Sequence, residues 1–477
     1  MTTVDLPSRN AALARLADET FDVVVVGGGV TGAGVALDAA TRGFRTAIVE
    51  ARDWASGTSS KSSKLVHGGL RYLQQKEFGL VGDALKERTR LLQNAPHLVH
   101  KLPFLIPLFG TAGAATETLA KGYSAVLSMY DRLGKVAPDM RHRRLEIGEA
   151  ARLVAALDAE QLVAAFVYHD AQTDDARLTL AIVGTAVRHG AVACNYARVV
   201  ARAPGGVGLD DGTFVRGRCI VNATGVWAAD VMALDDEPTI RLRPAKGVHV
   251  AFGRERLETS VAVVLPVRSD KRSIFIVPRG EWVYVGTTDT LYGGTRDRVR
   301  VEDLEIDYLL AALNDRIGSP LSRGDVIGAW AGLRPLLEGA RSERTADLSR
   351  RHAVVRSPSG MVSILGGKLT TYRLMAEDTV DEVANVLEAK KTRCRTAELP
   401  IDELMAFSPR WSIEHEQAVN ISDIVERRAG LALFDQAAGR AAAKGVADEL
   451  AVALGWSAAE RESHLKSFLA DLTLGST

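Results

Sequence analysis

Between Phe21 and Glu50 the chain places a strand, a glycine-rich turn, a helix, a second strand and an acid within about thirty residues, an order few folds accommodate. Phe21 to Val26 reads Phe-Asp-Val-Val-Val-Val, short and β-branched, the pattern of a strand covered on both faces of its sheet. Gly27, Gly29 and Gly32 follow as G-x-G-x-x-G with Gly28 inside the turn, and Val30 to Arg42 is predicted as a helix that Gly43 stops. Arg45 to Val49 is the second strand. Gly27 permits the tight turn, Gly29 lets backbone approach a pyrophosphate, and Gly32 lets the helix lie close to the strand. The helix N-terminus then faces phosphate. Glu50, at the end of the second strand, is expected to accept hydrogen bonds from an adenosine ribose, which favours an unphosphorylated 2′-hydroxyl. FAD and NAD both satisfy this much; the competing reading is a glycine-rich turn in an unrelated α/β unit.

A chain of 477 residues exceeds one hydrophobic core, so two or three units are expected. Lys+Arg and Asp+Glu balance at 59 each, which leaves no overall field to hold a nucleic acid, and none is expected as a partner. Cys194, Cys219 and Cys394 are too scattered to bind a metal or an iron–sulfur cluster; no metal is expected, and reduced, buried thiols in the cytosol are. Met1 to Thr20 lacks the order of a secretory signal, and nowhere do about 18 uncharged apolar residues run together. The expected location is cytoplasmic, with any membrane contact peripheral on the inner face of the cell membrane.

The stretch from Arg52 to Tyr72 is too polar and glycine-rich for another buried βαβ segment and suits a loop lying along a large ligand. Its hydroxyls, backbone amides and two lysines, Lys61 and Lys64, are candidate donors to phosphate and to an isoalloxazine edge. Further on, Cys219 to Asn222 reads as a strand leading through Ala223-Thr224-Gly225 into a helix, a second place where backbone can crowd a dinucleotide. Met361 to Leu365 is another strand, and Gly366-Gly367-Lys368 opens a helix predicted over Leu369 to Leu387. That N-terminus, with Lys368 beside it, is placed to stabilise negative charge on a reduced flavin.

Residues Gly57 to Leu73 follow the pattern G-T-S-S-x-S-S-K-L-x-H-G-G-L-R-Y-L, and here the chain resembles the FAD-dependent glycerol-3-phosphate dehydrogenase family. The likeness continues through Ala95-Pro96-His97, Tyr168-x-Asp170, Asp174-Asp175-Ala176-Arg177, Asn222-Ala223-Thr224-Gly225, Lys246-Gly247-Val248-His249, Gly332-Leu333-Arg334-Pro335-Leu336 and Gly366 to Arg373, about residues 20 to 390. It implies FAD as cofactor, held by Gly27, Gly28, Gly29, Gly32, Glu50, Thr58, Ser59, Ser60, Lys64, Leu65, His67, Gly68, Ala223, Thr224, Gly225, Gly366, Gly367, Lys368, Leu369 and Thr370. It also implies a flavoprotein oxidising sn-glycerol 3-phosphate to dihydroxyacetone phosphate, with electrons passed to a membrane quinone.

The expected fold class is α/β, α+β overall: a discontinuous Rossmann-like FAD-binding domain (18–92, 162–235 and 345–390), an antiparallel-sheet substrate domain (93–161 and 236–344) and a C-terminal helical cap (391–477). In the substrate domain Val261 to Val267, Ser273 to Pro278 and Trp282 to Thr287 read as strands. Leu102 to Phe109 is apolar enough to dip into a bilayer surface, or to form a buried strand whose two prolines suit an edge or a strand end.

A phosphorylated three-carbon alcohol needs clustered cations. By resemblance Arg334 and Lys368 hold its phosphate or hydroxyls, Arg350 adds a cation whose alignment is blurred by the adjoining Arg351, and Arg71, Tyr72 and His249 line the same pocket. Two routes remove the C2 hydroxyl proton: His249 as a neutral imidazole base, or Arg334 or Lys368 lowering the alcohol's pKa while water takes the proton. Rival readings are an oxygen-using glycerol-phosphate oxidase, an amine or amino-acid oxidase of the same architecture, and a non-catalytic FAD-binding sensor or scaffold. The oxidases, by resemblance, carry an inserted segment that this sequence lacks between the substrate-domain motifs. A homodimer is left open.

Overall fold

The computed structural model describes residues 2–74, 77–110, 114–235, 242–268, 270, 272–337 and 352–472, with backbone alone at 71, 74 and 114–116. Strand β1, Thr20–Val26, is followed by helix α1, Val30–Thr41, and strand β2, Thr46–Val49, as the hydrophobic patterning predicts. The helix is built almost wholly from small or β-branched residues, and nearly all of it is buried. A Cβ at Gly32 would stand 1.9 Å from the Gly27 carbonyl oxygen, so only glycine allows α1 to lie this close to the turn. The long loop from Ala51 to Lys64 leads to the two-residue strand β3, Leu65–Val66, and then to helix α2, Phe78–Asn94.

Strand β4, Val99–Phe109, pairs antiparallel along its length with β5, Leu162–Thr173. Helix α3, Asp175–Arg188, is capped by the Asp174 carboxylate, which accepts from the Arg177 N–H. Two parallel strands return to β1: β6, Val192–Cys194, beside β2, and β7, Phe214–Asn222, beside β1 itself. The chain then builds an antiparallel set, β8 (Leu242–Gly253), β9 (Ala262–Pro266), β10 (Ser273–Arg279), β11 (Trp282–Gly286) and β12 (Gly328–Leu337). It comes back through the hairpin β13, His352–Arg356, and β14, Val362–Gly366, and runs into helix α4, Tyr372–Val386. The C-terminal region is helical, ending in α5, Gln436–Leu454, and α6, Ala458–Asp471.

Two sheets result. The first has the order β13-β14-β7-β1-β2-β6, parallel except at the β13–β14 hairpin and at a small antiparallel ribbon, Val199–Ala203 and Gly206–Leu209, attached to β7. Helix α1 packs between α3 and α4 against it. The second runs β8-β11-β10-β9-β4-β5-β3, with β12 also on β8. Since β5 is zipped to β4 over its whole length, residues 162–173 belong to the second sheet.

Strand β4 is interior to its sheet, which corrects the edge or strand-end position expected from Pro103 and Pro107. Both prolines lie at the same parity of the strand, and β9 meets β4 only at Phe104 and Leu105, between them. The missing N–H groups therefore fall beside the short pairing rather than in it. Leu102, Phe104, Leu105, Ile106 and Leu108 are buried, so this segment is core and presents no apolar strip to a bilayer.

Candidate active site

Where the first sheet faces the second, a cleft of about 320 Å³ runs along the C-terminal ends of the parallel strands, the usual ligand position in an open α/β sheet. Gly27, at φ 110°, turns the chain from β1 into α1, and a Cβ there would meet the Ala223 carbonyl oxygen at 2.7 Å. The turns 27–29 and 223–225 are therefore pressed together as one floor. Beside it Glu50 accepts the Gly28 N–H at 2.6 Å on one carboxylate oxygen and the Arg52 N–H at 2.8 Å on the other. Burial still raises its pKa against those two bonds. Ser59 Oγ accepts from the Val30 N–H at 2.9 Å, putting a hydroxyl at the α1 N-terminus.

The cleft continues past Gly366 and Gly367, both left-handed at φ 74° and 83°, which swing the chain from β14 toward α4. There a single turn, Leu369–Thr371, precedes α4, so the helix predicted from Leu369 begins regularly only at Tyr372. Thr370 Oγ1 accepts from the His67 N–H at 3.1 Å and donates to its carbonyl at 3.3 Å, tying this turn to the 57–73 loop. Thr58 Oγ1 donates to the Leu333 carbonyl at 2.7 Å, tying the same loop to β12.

A second chamber of about 230 Å³ shares Val30, Thr58, Ser59, Pro335, Gly367, Lys368 and Leu369 with the cleft. Its walls carry Arg334, Lys368 and His249. Arg334, on β12, donates to Asp289 at 3.0 Å, Thr287 Oγ1 at 3.1 Å and the Thr288 carbonyl at 3.2 Å, which hold the guanidinium in one orientation. Lys368 Nζ lies 3.8 Å from the centre of the Tyr72 ring. His249, on β8, is stacked on Trp330 at 4.8 Å, and its Nε2 lies 2.9 Å from Ser63 Oγ. Its Nδ1 is buried with no hydrogen-bond partner among the described residues. Burial first, then Arg334 and Lys64, push the imidazole down to about 3, so it is neutral at ordinary pH.

Among the residues singled out from sequence, Gly27, Gly29, Glu50, Thr58, Ser59, Ala223, Thr224, Gly225, Gly366, Gly367, Lys368 and Leu369 line the cleft. Leu65, His67, Tyr72, His249, Arg334 and Thr370 line the chamber. Gly28 and Gly32 support from behind: a Cβ at Gly28 would meet the Trp54 ring at 2.5 Å. Ser60 is buried and gives its carbonyl to Lys64 Nζ at 3.0 Å, and the Gly68 N–H donates to Tyr130 Oη at 2.9 Å, beneath the loop.

Of the two lysines expected as donors to phosphate and an isoalloxazine edge, Lys61 lines the chamber and Lys64 does not. Lys64 Nζ is paired with Asp175 in the core, because the loop turns it inward toward the start of α3. The Lys61 ammonium has Glu426, Arg427, Arg52 and Asp471 as its charged neighbours, on the side of the C-terminal helices. Arg71 opens a short turn, Arg71–Gln74, with its side chain outside the described atoms, and Arg350 lies outside the described residues.

Sequence reasoning passed over Arg52, Trp227 and Asp297, which also line the cleft, and Thr287, Thr288 and Asp289, which orient Arg334. The one signal for Trp227 is its place two residues after Gly225. Arg52 opens the polar loop that follows β2, and nothing local marks Asp297, Thr287, Thr288 and Asp289, since they come from loops of the second sheet.

The pattern described as FAD dependent oxidoreductase matches residues 22–373, and that described as the C-terminal domain of alpha-glycerophosphate oxidase matches residues 378–461. Glycerol-3-phosphate dehydrogenase of Mycobacterium leprae (strain TN) is 37% identical over 96% of this chain and 89% of its own length. The chain belongs to the FAD-dependent glycerol-3-phosphate dehydrogenase family. Within that family, glycerol-3-phosphate dehydrogenase 2 of Mycobacterium tuberculosis is 44% identical over 80% of this chain, which spans 66% of that protein. The crystal structure of the glycerol-3-phosphate dehydrogenase from Bacillus halodurans, complexed with FAD, is 29% identical with a TM-score of 0.79, covering 97% of each chain. A glycine oxidase from Geobacillus kaustophilus, at 22% identity and a TM-score of 0.57, shares the fold.

FAD is the cofactor of this flavoprotein. The residues present fit it: a glycine turn with no room for a Cβ at Gly27 or Gly28, a helix N-terminus, a carboxylate keeping spare lone pairs, and a cleft that opens into a cationic chamber.

Proposed function

We propose that the chain oxidises sn-glycerol 3-phosphate to dihydroxyacetone phosphate and passes the electrons to a quinone. The observation that carries the substrate is Arg334, oriented by Asp289, Thr287 and Thr288 in the chamber that shares a wall with the cofactor cleft. A held guanidinium with an ammonium nearby is the donor set of a small phosphate ester. FAD, when bound, supplies the acceptor for the hydride from C2. Arg334 and Lys368 bind the phosphate and the hydroxyls, with the Lys368 ammonium over the Tyr72 ring.

His249 is uncharged before substrate arrives, and at about 3 it is a weak base by itself. A substrate dianion opposes the repulsion from Arg334 and Lys64 and raises the imidazole's affinity for a proton, so the C2 hydroxyl proton moves to it only in the complex. The same low value favours the second route, in which Arg334 or Lys368 acidifies the alcohol and water accepts the proton. His249→Gln separates them: a large loss of kcat supports the imidazole, and an unchanged kcat supports water.

No helix among the described residues is long and apolar enough to cross a membrane. Support for a peripheral contact comes from the helix Ala114–Leu133, which leaves Leu119, Met129 and Leu133 exposed.

Anaerobic mixing tests the substrate. Glycerol 3-phosphate should bleach the flavin band and glycerol or glycine should not; bleaching by glycine alone would make the chain an amino-acid oxidase, and a preparation that binds FAD but bleaches with none of them would leave a sensor. Arg334→Ala should raise KM by about ten- to a hundredfold with less effect on kcat, because a phosphate clamp acts in ground and transition states alike. For the acceptor, soluble quinone analogues should reoxidise the flavin much faster than air, with activity rising on added phospholipid. Stoichiometric hydrogen peroxide in air at comparable turnover would identify an oxidase.

A further inference from the structure

Three consecutive side chains on the irregular stretch after Leu291 reach out from the second sheet to the other parts of the molecule. Arg296 donates to the Val226 carbonyl and to Asp230, both at 2.8 Å. Asp297 accepts the Trp227 indole N–H at 3.0 Å and pairs with Arg52 at 3.5 Å, while the Arg52 guanidinium carbon lies 4.8 Å from the Trp227 ring centre. Arg298 pairs with Asp471 at the end of α6. Arg52, Val226, Trp227, Asp230 and Asp297 all stand in the wall of the cofactor cleft, and Arg52 and Trp227 follow directly on the two nucleotide-binding strands β2 and β7.

We propose that Arg296 and Asp297 are positioning residues that retain FAD, acting as a strap across this wall. Single contacts of this kind are weak: Asp297 is 62% and Asp230 53% exposed, and water competes for each bond. Their arrangement matters more than their individual strength. FAD cannot leave past Arg52 and Trp227 while both are held from the second sheet, and release needs the indole N–H, the guanidinium pair and the Arg296 bonds to open together. The strap therefore slows dissociation while contributing little to folding, and Arg298 couples it to the C-terminal helices.

The inference rests on FAD as cofactor and makes no use of the substrate, so its test is independent of the activity proposed above. Holoenzyme is diluted into buffer free of FAD and the rise of free-flavin fluorescence is followed in the wild type, Arg296→Ala, Asp297→Ala, the double variant and Trp227→Phe. Asp297→Ala should release FAD about tenfold faster, equivalent to about 1.4 kcal/mol. Trp227→Phe, which keeps an aromatic ring but removes the indole donor together with part of the ring surface, should move in the same direction, and the double variant should be faster than either single one. With FAD in excess, all should melt within a few degrees of the wild type. Release at the wild-type rate by both the double variant and Trp227→Phe would overturn the proposal.

Discussion

Lys64 illustrates how little a residue's type reveals of its task. It stands at the end of the loop that follows the nucleotide fold, yet its ammonium pairs with Asp175, whose other oxygen takes the Ser62 N–H at 3.0 Å and hydroxyl at 2.6 Å. Lys64→Met would leave the Asp175 carboxylate buried with only neutral donors, these and the Ala176 N–H, and removing one partner of a buried pair costs about 3–5 kcal/mol. The expected result is a matching drop in the urea midpoint while the folded fraction keeps its flavin; unchanged stability would mean that water reaches Asp175. His249 gives a pH signature of definite sign. Burial, with Arg334 and Lys64, holds it neutral down to about 3 in the folded state, while the unfolded imidazole takes a proton below about 6.5. The unfolded state therefore binds the extra proton between those values, and this group lowers stability as pH falls through that window, by at most about 1.4 kcal/mol per unit, with no contribution above it. Urea midpoints measured from pH 7 down to pH 5 should fall less steeply in His249→Gln than in the wild type. Equal slopes would assign the effect to other groups.

At the scale of elements, the contact between α1 and the turn before it decides whether the cofactor binds. By helix propensity alone Gly32→Ala should stabilise α1 by about 1 kcal/mol. The new Cβ would stand 1.9 Å from the Gly27 carbonyl oxygen, however, and a backbone atom held by two flanking elements cannot step aside cheaply. Steric conflict should win, displacing the helix N-terminus from the phosphate position. Purified Gly32→Ala should be folded by circular dichroism yet carry much less flavin per chain, and a fully yellow preparation would refute the argument. The same elements show what was legible locally. Strands β1, β2 and β14 fall within one residue of the stretches read from the apolar runs, with Gly27 and Gly366 marking the ends of β1 and β14, whereas β7 begins five residues before the stretch read from Cys219. For β4 the prolines misled, since their parity relative to a partner strand is invisible without the partner.

At the scale of the whole molecule, the C-terminal helices are joined to the nucleotide-binding fold through Asp53. Its carboxylate accepts Arg427 Nε at 2.7 Å, two nitrogens of Arg428 at 2.6 and 2.8 Å and the Asn195 amide at 3.1 Å, all buried. Asp53→Ala leaves two guanidinium groups inside, with Asp423, Glu426 and Glu416 as their remaining acidic partners. A loss of about 3–5 kcal/mol is expected, felt first at this junction. Limited proteolysis should then cut the variant in the extended stretch 389–408 while the wild type resists; equal resistance would show that apolar packing alone holds the helices down.

The nucleotide-binding strand, turn and helix, the acid at Glu50 and the second glycine turn at Gly366-Gly367-Lys368 were determined within short windows. There the period of the side chains and the demands of a tight turn act between near neighbours. Tertiary structure alone decided that Lys64 answers Asp175, 111 residues away, that Asp289 orients Arg334, and that Arg296 and Asp297 reach the cofactor wall. A lysine or an aspartate carries the same local signal whichever partner it meets, and the partner is chosen by the register of strands and the packing of loops that bring distant segments within hydrogen-bonding reach.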